Sequence, residues 1–366
     1  MAKAIDIAGS TQMYNPHTQS PDDPTPIVSI VVPILNEAQD IASLLGTILA
    51  LDPPQSGFEV LVVDGGSNDG TQKIVEALAA KWCNLCLYDN AKRLSSAGRN
   101  VGSRYSRGQY IVYIDGHCQI PRSDYLLRLV DIFRSTGADC LCRPQSLTDM
   151  ADGGWACAIA KARHSAFGHY PGSDIYDNAP GWTNPRSAGA AYRKQCYEAV
   201  GGFDESFDAC EDVEFNHRVA ASGFSAYRHP DLAVRYRVRS TLPRLFVQMR
   251  RYGRGRTRLA IKHPSATFWL LPGILISIPV LALLLYRSTA PFLPTVVGFT
   301  SMYVLALLAA ALISSNSWRE PLRIALALVV VHVGGVVGLC EGMLESLLRW
   351  VRDRRSRDSP REQHTS

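Results

Sequence analysis

What this 366-residue chain lacks divides it into regions. The opening stretch, MAKAIDIAGSTQMYNPHTQSPDDPTP, has no apolar core long enough for a signal peptide. Rich in Pro, Asp, Thr and Ser, it can bury little apolar surface, so residues 1–25 read as a disordered tail. The bulk of the chain is therefore expected in the cytoplasm. Acid is nearly missing from Arg228 to Lys262, where eleven Lys and Arg face one acid, Asp231. Charge of either sign is missing from 266–286 and from 291–313. The first of these has twenty-one residues. At 1.5 Å per residue it spans about 31 Å, the thickness of a hydrocarbon core of about 30 Å. A third stretch, 322–344, is weaker, because it holds His332 and runs into Glu341. Together they predict a transmembrane region over 263–348, followed by a basic tail, 349–366. The alternative for each stretch is a buried core helix; for the third that alternative stands open.

Metal-binding spacing is also lacking. The nine cysteines include a CxxC at Cys83/Cys86 and a CxC at Cys140/Cys142, with no ribbon pattern and no His-x-x-x-His. Both pairs fall in or beside predicted strands, where cysteine acts as a small apolar residue. The scattered remainder suits reduced thiols. The basic run before the first span suits anionic headgroups or a phosphorylated substrate. A nucleic-acid role is set aside, because the run leads directly into an apolar span. The same charge puts that side of the first span in the cytoplasm. Three spans would then leave the basic tail outside, against the same rule. Either the third stretch is re-entrant or interfacial, or the tail loses to the earlier signal.

What is present begins at Ile27, where strand and helix patterns alternate. IVSIVVPIL (27–35) is a continuous β-branched run, as expected of a strand buried on both faces. Further strands are predicted at 58–66, 85–90, 109–115 and 138–144. Helices are predicted between them at 36–52, 67–82, 95–106 and 123–133, with apolar stripes such as Ile41, Leu44, Leu45 and Ile48. This alternation predicts an α/β fold with a mostly parallel sheet flanked by helices. In such sheets ligands bind beyond the carboxyl ends of the strands. Asn36 and Glu37, Asp64, and Asp115 and His117 each stand at such an end. Residues 145–185, with Gly, Pro, His and Trp, read as a loop region shaping the substrate site, and a helix follows at 211–223.

Asp115-Gly116-His117 can be a plain turn, or two ligands for one divalent ion with no bulk between them. Such an ion would neutralise a diphosphate leaving group, and imidazole suits manganese better than magnesium. Glu211 and Asp212 open a helix, where acids favour the N-terminus. Two adjacent acids exceed what a cap needs, and the second can take a proton from an attacking hydroxyl. QMRRYGRGR offers Gln248, Arg251 and Tyr252, either to grip phosphate or as a snorkelling juxtamembrane patch.

The motifs VSIVVPILNEAQDI, EVLVVDGGSNDGT, AGRNVG, YIVYIDGHC, GAAYRKQCYEAVGGFDESFDACEDVEFNHR and QMRRYGRGR run in order over residues 27–260. In this the chain resembles the family 2 glycosyltransferases, inverting enzymes of GT-A fold. Within that family it is most similar to the membrane-attached transferases of exopolysaccharide assembly, the succinoglycan type. The resemblance implies a GT-A domain over 26–262. It implies a nucleotide-sugar pocket lined by Pro33, Asn36, Glu37, Asp64, Arg99 and Asp115, with Mn²⁺ or Mg²⁺ on Asp115 and His117. Catalytic carboxylates at Asp212 and Glu211 follow, Asp212 as base. Gln248, Arg251 and Tyr252 would hold the diphosphate and acceptor. It also implies a UDP-sugar donor, a lipid-linked or glycan hydroxyl as acceptor, a multi-pass inner-membrane location with the catalytic domain cytoplasmic, and other polysaccharide-assembly proteins as partners. Three departures stand out: His117 replaces the second acid of Asp-x-Asp, Gly65 replaces the second of two acids, and Tyr236 stands where many members carry His. The rival readings are a polyprenyl-phosphate sugar synthase and a non-catalytic, nucleotide-binding membrane scaffold. A processive synthase would need more spans.

Overall fold

The computed structural model describes residues 25–147, 154–169, 175–187, 189–265 and 293–358. They form two units, one of residues 1–151 and 171–238, the other of 152–170 and 239–366. The second takes in 239–262, which the sequence reading placed at the end of the 26–262 domain.

The elements of the first unit begin with β1 (Val28–Ile34), α1 (Ile41–Leu49), β2 (Phe58–Asp64), α2 (Thr71–Ala79) and β3 (Leu85–Asp89). Next come α3 (Ser95–Tyr105), β4 (Tyr110–Tyr113), β5 (Cys118–Gln119), α4 (Tyr125–Thr136), β6 (Cys140–Cys142) and β7 (Gln145–Ser146). The chain then supplies α5 (Gly154–His164) to the second unit. It returns as β8 (Gly181–Thr183), β9 (Gly189–Arg193), α6 (Lys194–Val200), α7 (Glu211–Ala221), β10 (Ala226–Arg228) and β11 (Val234–Tyr236).

Eight strands make one sheet in the order β3-β2-β1-β4-β9-β6-β10-β8. β3, β2, β1 and β4 pair in parallel, with Val28 opposite both Phe58 and Tyr110. β9 runs antiparallel between β4 and β6, and β8 antiparallel to β10. The expected mostly parallel sheet is therefore present, with two antiparallel strands that the sequence did not announce. A central strand alternates sides at every residue. Val28, Ile30, Val32 and Ile34 face the core shared with α1, α2 and α4, while Val31 lies in the opposite core with Tyr113, Tyr192 and Phe215. Cys140 and Cys142 are buried in that second core. α3 lies close on β1: a Cβ on Gly102 would collide with the Val31 side chain. β11 joins β5 and β7 in a small second sheet.

The second unit comprises α5, α8 (Leu242–Lys262), α9 (Leu293–Ser314) and α10 (Pro321–Asp358). α8 and α10 run parallel at close range. On α10, Gly334, Gly338 and Gly342 recur every four residues, each facing α8. A Cβ on Gly334 would stand 2.9 Å from the Met249 Cβ, one on Gly342 2.7 Å from the Thr257 Cβ, and one on Gly338 would collide with the Arg250 carbonyl. Small residues in this spacing let two backbones approach. Arg250 bonds both oxygens of Glu341, at 2.8 and 2.7 Å, and Arg258 bonds Glu345 at 3.1 Å. His332 donates from Nε2 to the Phe167 carbonyl at 2.8 Å, and its Nδ1 lies 2.5 Å from the Tyr303 hydroxyl. The one ionisable group read as mid-span is thus a satisfied imidazole.

Multi-pass architecture is not supported. Among the described residues one helix, Pro321–Arg352, is long and apolar enough to cross a membrane. The expected span 266–286 lies outside the described residues, and the apolar stretch of α9 is the shorter Thr300–Ser314.

Candidate active site

The carboxyl ends of β1, β2 and β4 meet one another, and the polar residues that follow each strand meet there too. After β1 the chain turns at Asn36, with φ of 58°. Such a left-handed angle is uncommon outside glycine, and asparagine tolerates it best. The Asn36 N–H donates to Ser67 Oγ at 2.8 Å, and the Asn36 side chain accepts from the Asn68 N–H at 2.9 Å. Asp64 is buried, and its two oxygens accept from Ser67, with the hydroxyl contact at 2.5 Å. Asp64 therefore holds the 64–67 turn and, through it, the Asn36 turn. Pro33 lies within β1; a Cβ on Gly98 of α3 would stand 3.2 Å from its Cβ.

Beyond β4 the chain reaches Asp115. Arg99 of α3, buried, donates from Nη2 to Asp115 at 2.9 Å. The other arm of the same fork, Nη1, lies 3.2 Å from Glu211 Oε1 at the start of α7. One guanidinium thus joins the end of β4 to the acid pair nearly a hundred residues further on. Its plane lies 5.9 Å from the Tyr113 ring and 5.4 Å from the Phe203 ring. Burial pulls the Arg99 pKa down, but Glu211, Asp115 and Asp212 outweigh it and hold the charge firmly on. Burial pushes the Asp115 carboxyl up; Arg99 first, then His117 and Arg143, reverse this and hold it below the usual range. Burial lifts Glu211, Arg99 opposes, Asp212 adds to the lift, and the net direction is up.

The two acids are not equivalent. Glu211 is buried against Arg99, whereas Asp212 is exposed and accepts from the Val213 N–H at 2.8 Å. The residue before them, Cys210, has φ of 60° and leads into α7. Of the three non-glycine residues at positive φ among the described residues, Asn36 and Cys210 flank this site. Strain of this kind gathers where function overrides local preference.

His117 pairs with Glu37, Nδ1 to Oε1 at 3.0 Å, and the Tyr236 ring meets it edge-on with centroids 4.8 Å apart. Among the described residues no three His, Cys, Asp or Glu converge as a ready metal cage. Gln248, Arg251 and Tyr252 lie on α8 of the second unit. There Gln248 is buried and donates to the Tyr252 hydroxyl at 3.3 Å. The sequence reading passed over Arg143, which is buried just beyond β6, bonds Tyr125 and contributes to the low Asp115 pKa. An arginine one residue past a predicted strand, at the carboxyl edge, was the signal available for it.

The mostly parallel sheet, covered on both faces and with polar turns gathered at its strand ends, has a GT-A-like fold. The fold is shared with a mannosyltransferase from Pyrobaculum calidifontis solved with GDP-Man and Mn²⁺. The TM-score is 0.56 at 20% identity, over 88% of this chain and 91% of that one. Residues 29–176 match Glycosyl transferase family 2, and residues 110–334 match Glycosyl transferase family group 2. The chain belongs to glycosyl transferase family 2. It is 30% identical to the succinoglycan biosynthesis protein ExoA of Rhizobium meliloti, over 86% of this chain and 94% of that protein. It is 25% identical to a dolichyl N-acetyl-alpha-D-glucosaminyl phosphate 3-beta-D-2,3-diacetamido-2,3-dideoxy-beta-D-glucuronosyltransferase of Methanococcus voltae, over 86% of this chain and 98% of that one.

Proposed function

We propose that this glycosyltransferase is membrane-attached and inverting, and moves a sugar from a UDP-sugar to a hydroxyl of a lipid-linked or polysaccharide acceptor. Its setting is the assembly of exopolysaccharide or another cell-surface glycan, with the catalytic unit on the cytoplasmic face. The reading rests on the Arg99 fork, which gathers Asp115 and Glu211 and leaves Asp212 exposed beside them. The relatives in succinoglycan and dolichyl-linked glycan synthesis support the acceptor class.

In this reading the Asn36 and Asp64 turns, with Glu37 alongside, hold the nucleotide. Asp115 and His117 supply one oxygen and one nitrogen donor. These two side chains would hold a Mn²⁺ or Mg²⁺ ion. When bound, such an ion neutralises charge on the departing diphosphate. The acceptor oxygen bonds to the anomeric carbon as the bond from that carbon to the diphosphate oxygen breaks on the opposite face. Asp212 accepts the hydroxyl proton. Glu211 cannot share this task while Arg99 holds it; its part is to place Arg99 against Asp115.

The test is nucleotide-diphosphate release by full-length protein with Mn²⁺, a panel of nucleotide sugars and a lipid extract. Release with one donor, lost in Asp212→Asn, supports the reading. Release that survives Asp212→Asn points to a phosphate acceptor, which needs no base, and hence to a polyprenyl-phosphate sugar synthase. Donor binding without any release points to a scaffold.

A further inference from the structure

We infer that Glu37 is a positioning residue: seated on Gly116, it holds the His117 imidazole at Nδ1 so that Nε2 is the nitrogen presented to a cation. The inference rests on the assignment of His117 as a metal ligand.

Three contacts converge on it. The Glu37 backbone is anchored, its N–H donating to Thr71 Oγ1 at 2.9 Å. Its side chain crosses directly over Gly116, where a Cβ would stand 2.9 Å from Glu37 Cγ and 3.1 Å from Ile34 Cγ2. From that seat the carboxylate reaches His117 Nδ1 at 3.0 Å, with both side chains mostly buried. Gly116 is therefore more than a bulk-free spacer between two ligands; it is the space Glu37 occupies.

Glu37 meets the ring at Nδ1, so Nε2 is the nitrogen on the far side of the imidazole from that contact. The Tyr236 ring, edge-on at 75°, restricts the imidazole from the side. A carboxylate behind a ligating histidine fixes its orientation and raises its basicity, and its loss typically costs 10–100-fold in metal affinity. The feature bears on the departure from Asp-x-Asp: a carboxylate can ligate through either oxygen, whereas the ring must present the nitrogen that Glu37 does not meet.

The experiment measures Mn²⁺ affinity by electron paramagnetic resonance on full-length protein saturated with UDP. Glu37→Ala and Gly116→Ala are each expected to weaken it roughly 10–100-fold, with the melting temperature near wild type; UDP affinity in chelator stays near wild type in Gly116→Ala and falls by less than the Mn²⁺ affinity in Glu37→Ala. Wild-type Mn²⁺ affinity in both variants overturns the inference. So does a loss of UDP affinity in chelator for Glu37→Ala as large as the loss of Mn²⁺ affinity, which would leave nothing for an effect through His117. His117→Ala tests the underlying assignment separately: unchanged Mn²⁺ affinity there removes His117 as a ligand, whatever Glu37→Ala does.

Discussion

Arg99→Met removes the guanidinium and leaves two carboxylates facing one another without it. Glu211 is 11% exposed at the side chain and Asp115 29%. Stripping one partner from a buried pair costs roughly 3–5 kcal/mol. Solvent at Asp115 screens part of that, so a loss of about 2–4 kcal/mol is expected, or roughly 5–15 °C in melting temperature. The loss should depend on pH in a definite direction. Without Arg99, Glu211 keeps the burial and the Asp212 charge that already raise its pKa, and loses the positive charge that opposes them. A carboxyl whose folded pKa lies above its unfolded value binds more protons when folded, so stability falls as pH rises through that range. The deficit of the variant relative to wild type should therefore widen between about pH 5 and pH 8. Thermal and urea denaturation followed by circular dichroism at several pH values would measure it. A loss under about 1 kcal/mol, or a deficit that narrows as pH rises, would refute the argument that Arg99 is the electrostatic link of this site.

Asp212→Asn should lower the rate of sugar transfer by about 10²–10⁴ while leaving UDP affinity unchanged, measured by diphosphate release and by equilibrium binding. Gly102→Ala forces a methyl into Val31 between α3 and β1 and should cost about 1–3 kcal/mol, read from urea midpoints. Gly338→Leu should separate α8 from α10, because its side chain meets the Arg250 backbone; faster proteolysis within residues 239–262, with the first unit's melting unchanged, is the expected outcome.

Apart from the two-residue β5, the strands and helices from Val28 to Thr136 were legible because each carries its own pattern, and buried β-branched runs leave little choice. The structure trims them: 109–115 becomes Tyr110–Tyr113, since Asp115 belongs to the turn that Arg99 holds. β9 was missed because Gly189, Ala190 and Ala191 lack β-forming side chains; pairing with β4 and β6 on both sides makes them a strand. α5 was read as loop because Gly, Pro and His surround its alanine-rich turns, and its packing partners come from far along the chain. The acid pair was visible as a pair. That Arg99 takes Glu211 was not, because the two stand more than a hundred positions apart. The Glu37–His117 contact joins residues eighty positions apart, and no local pattern encodes it.

The glycine ladder of α10 sets a depth limit. Because α8 runs beside it from Gly334 onward, the guanidinium of Arg250 is held at the level of Gly338 and Glu341. Sinking that level into lipid would drag an arginine–glutamate pair out of water, at considerable cost. If α10 enters a membrane anywhere along Pro321–Arg352, its glycine packing carries the charged face of α8 to the same depth.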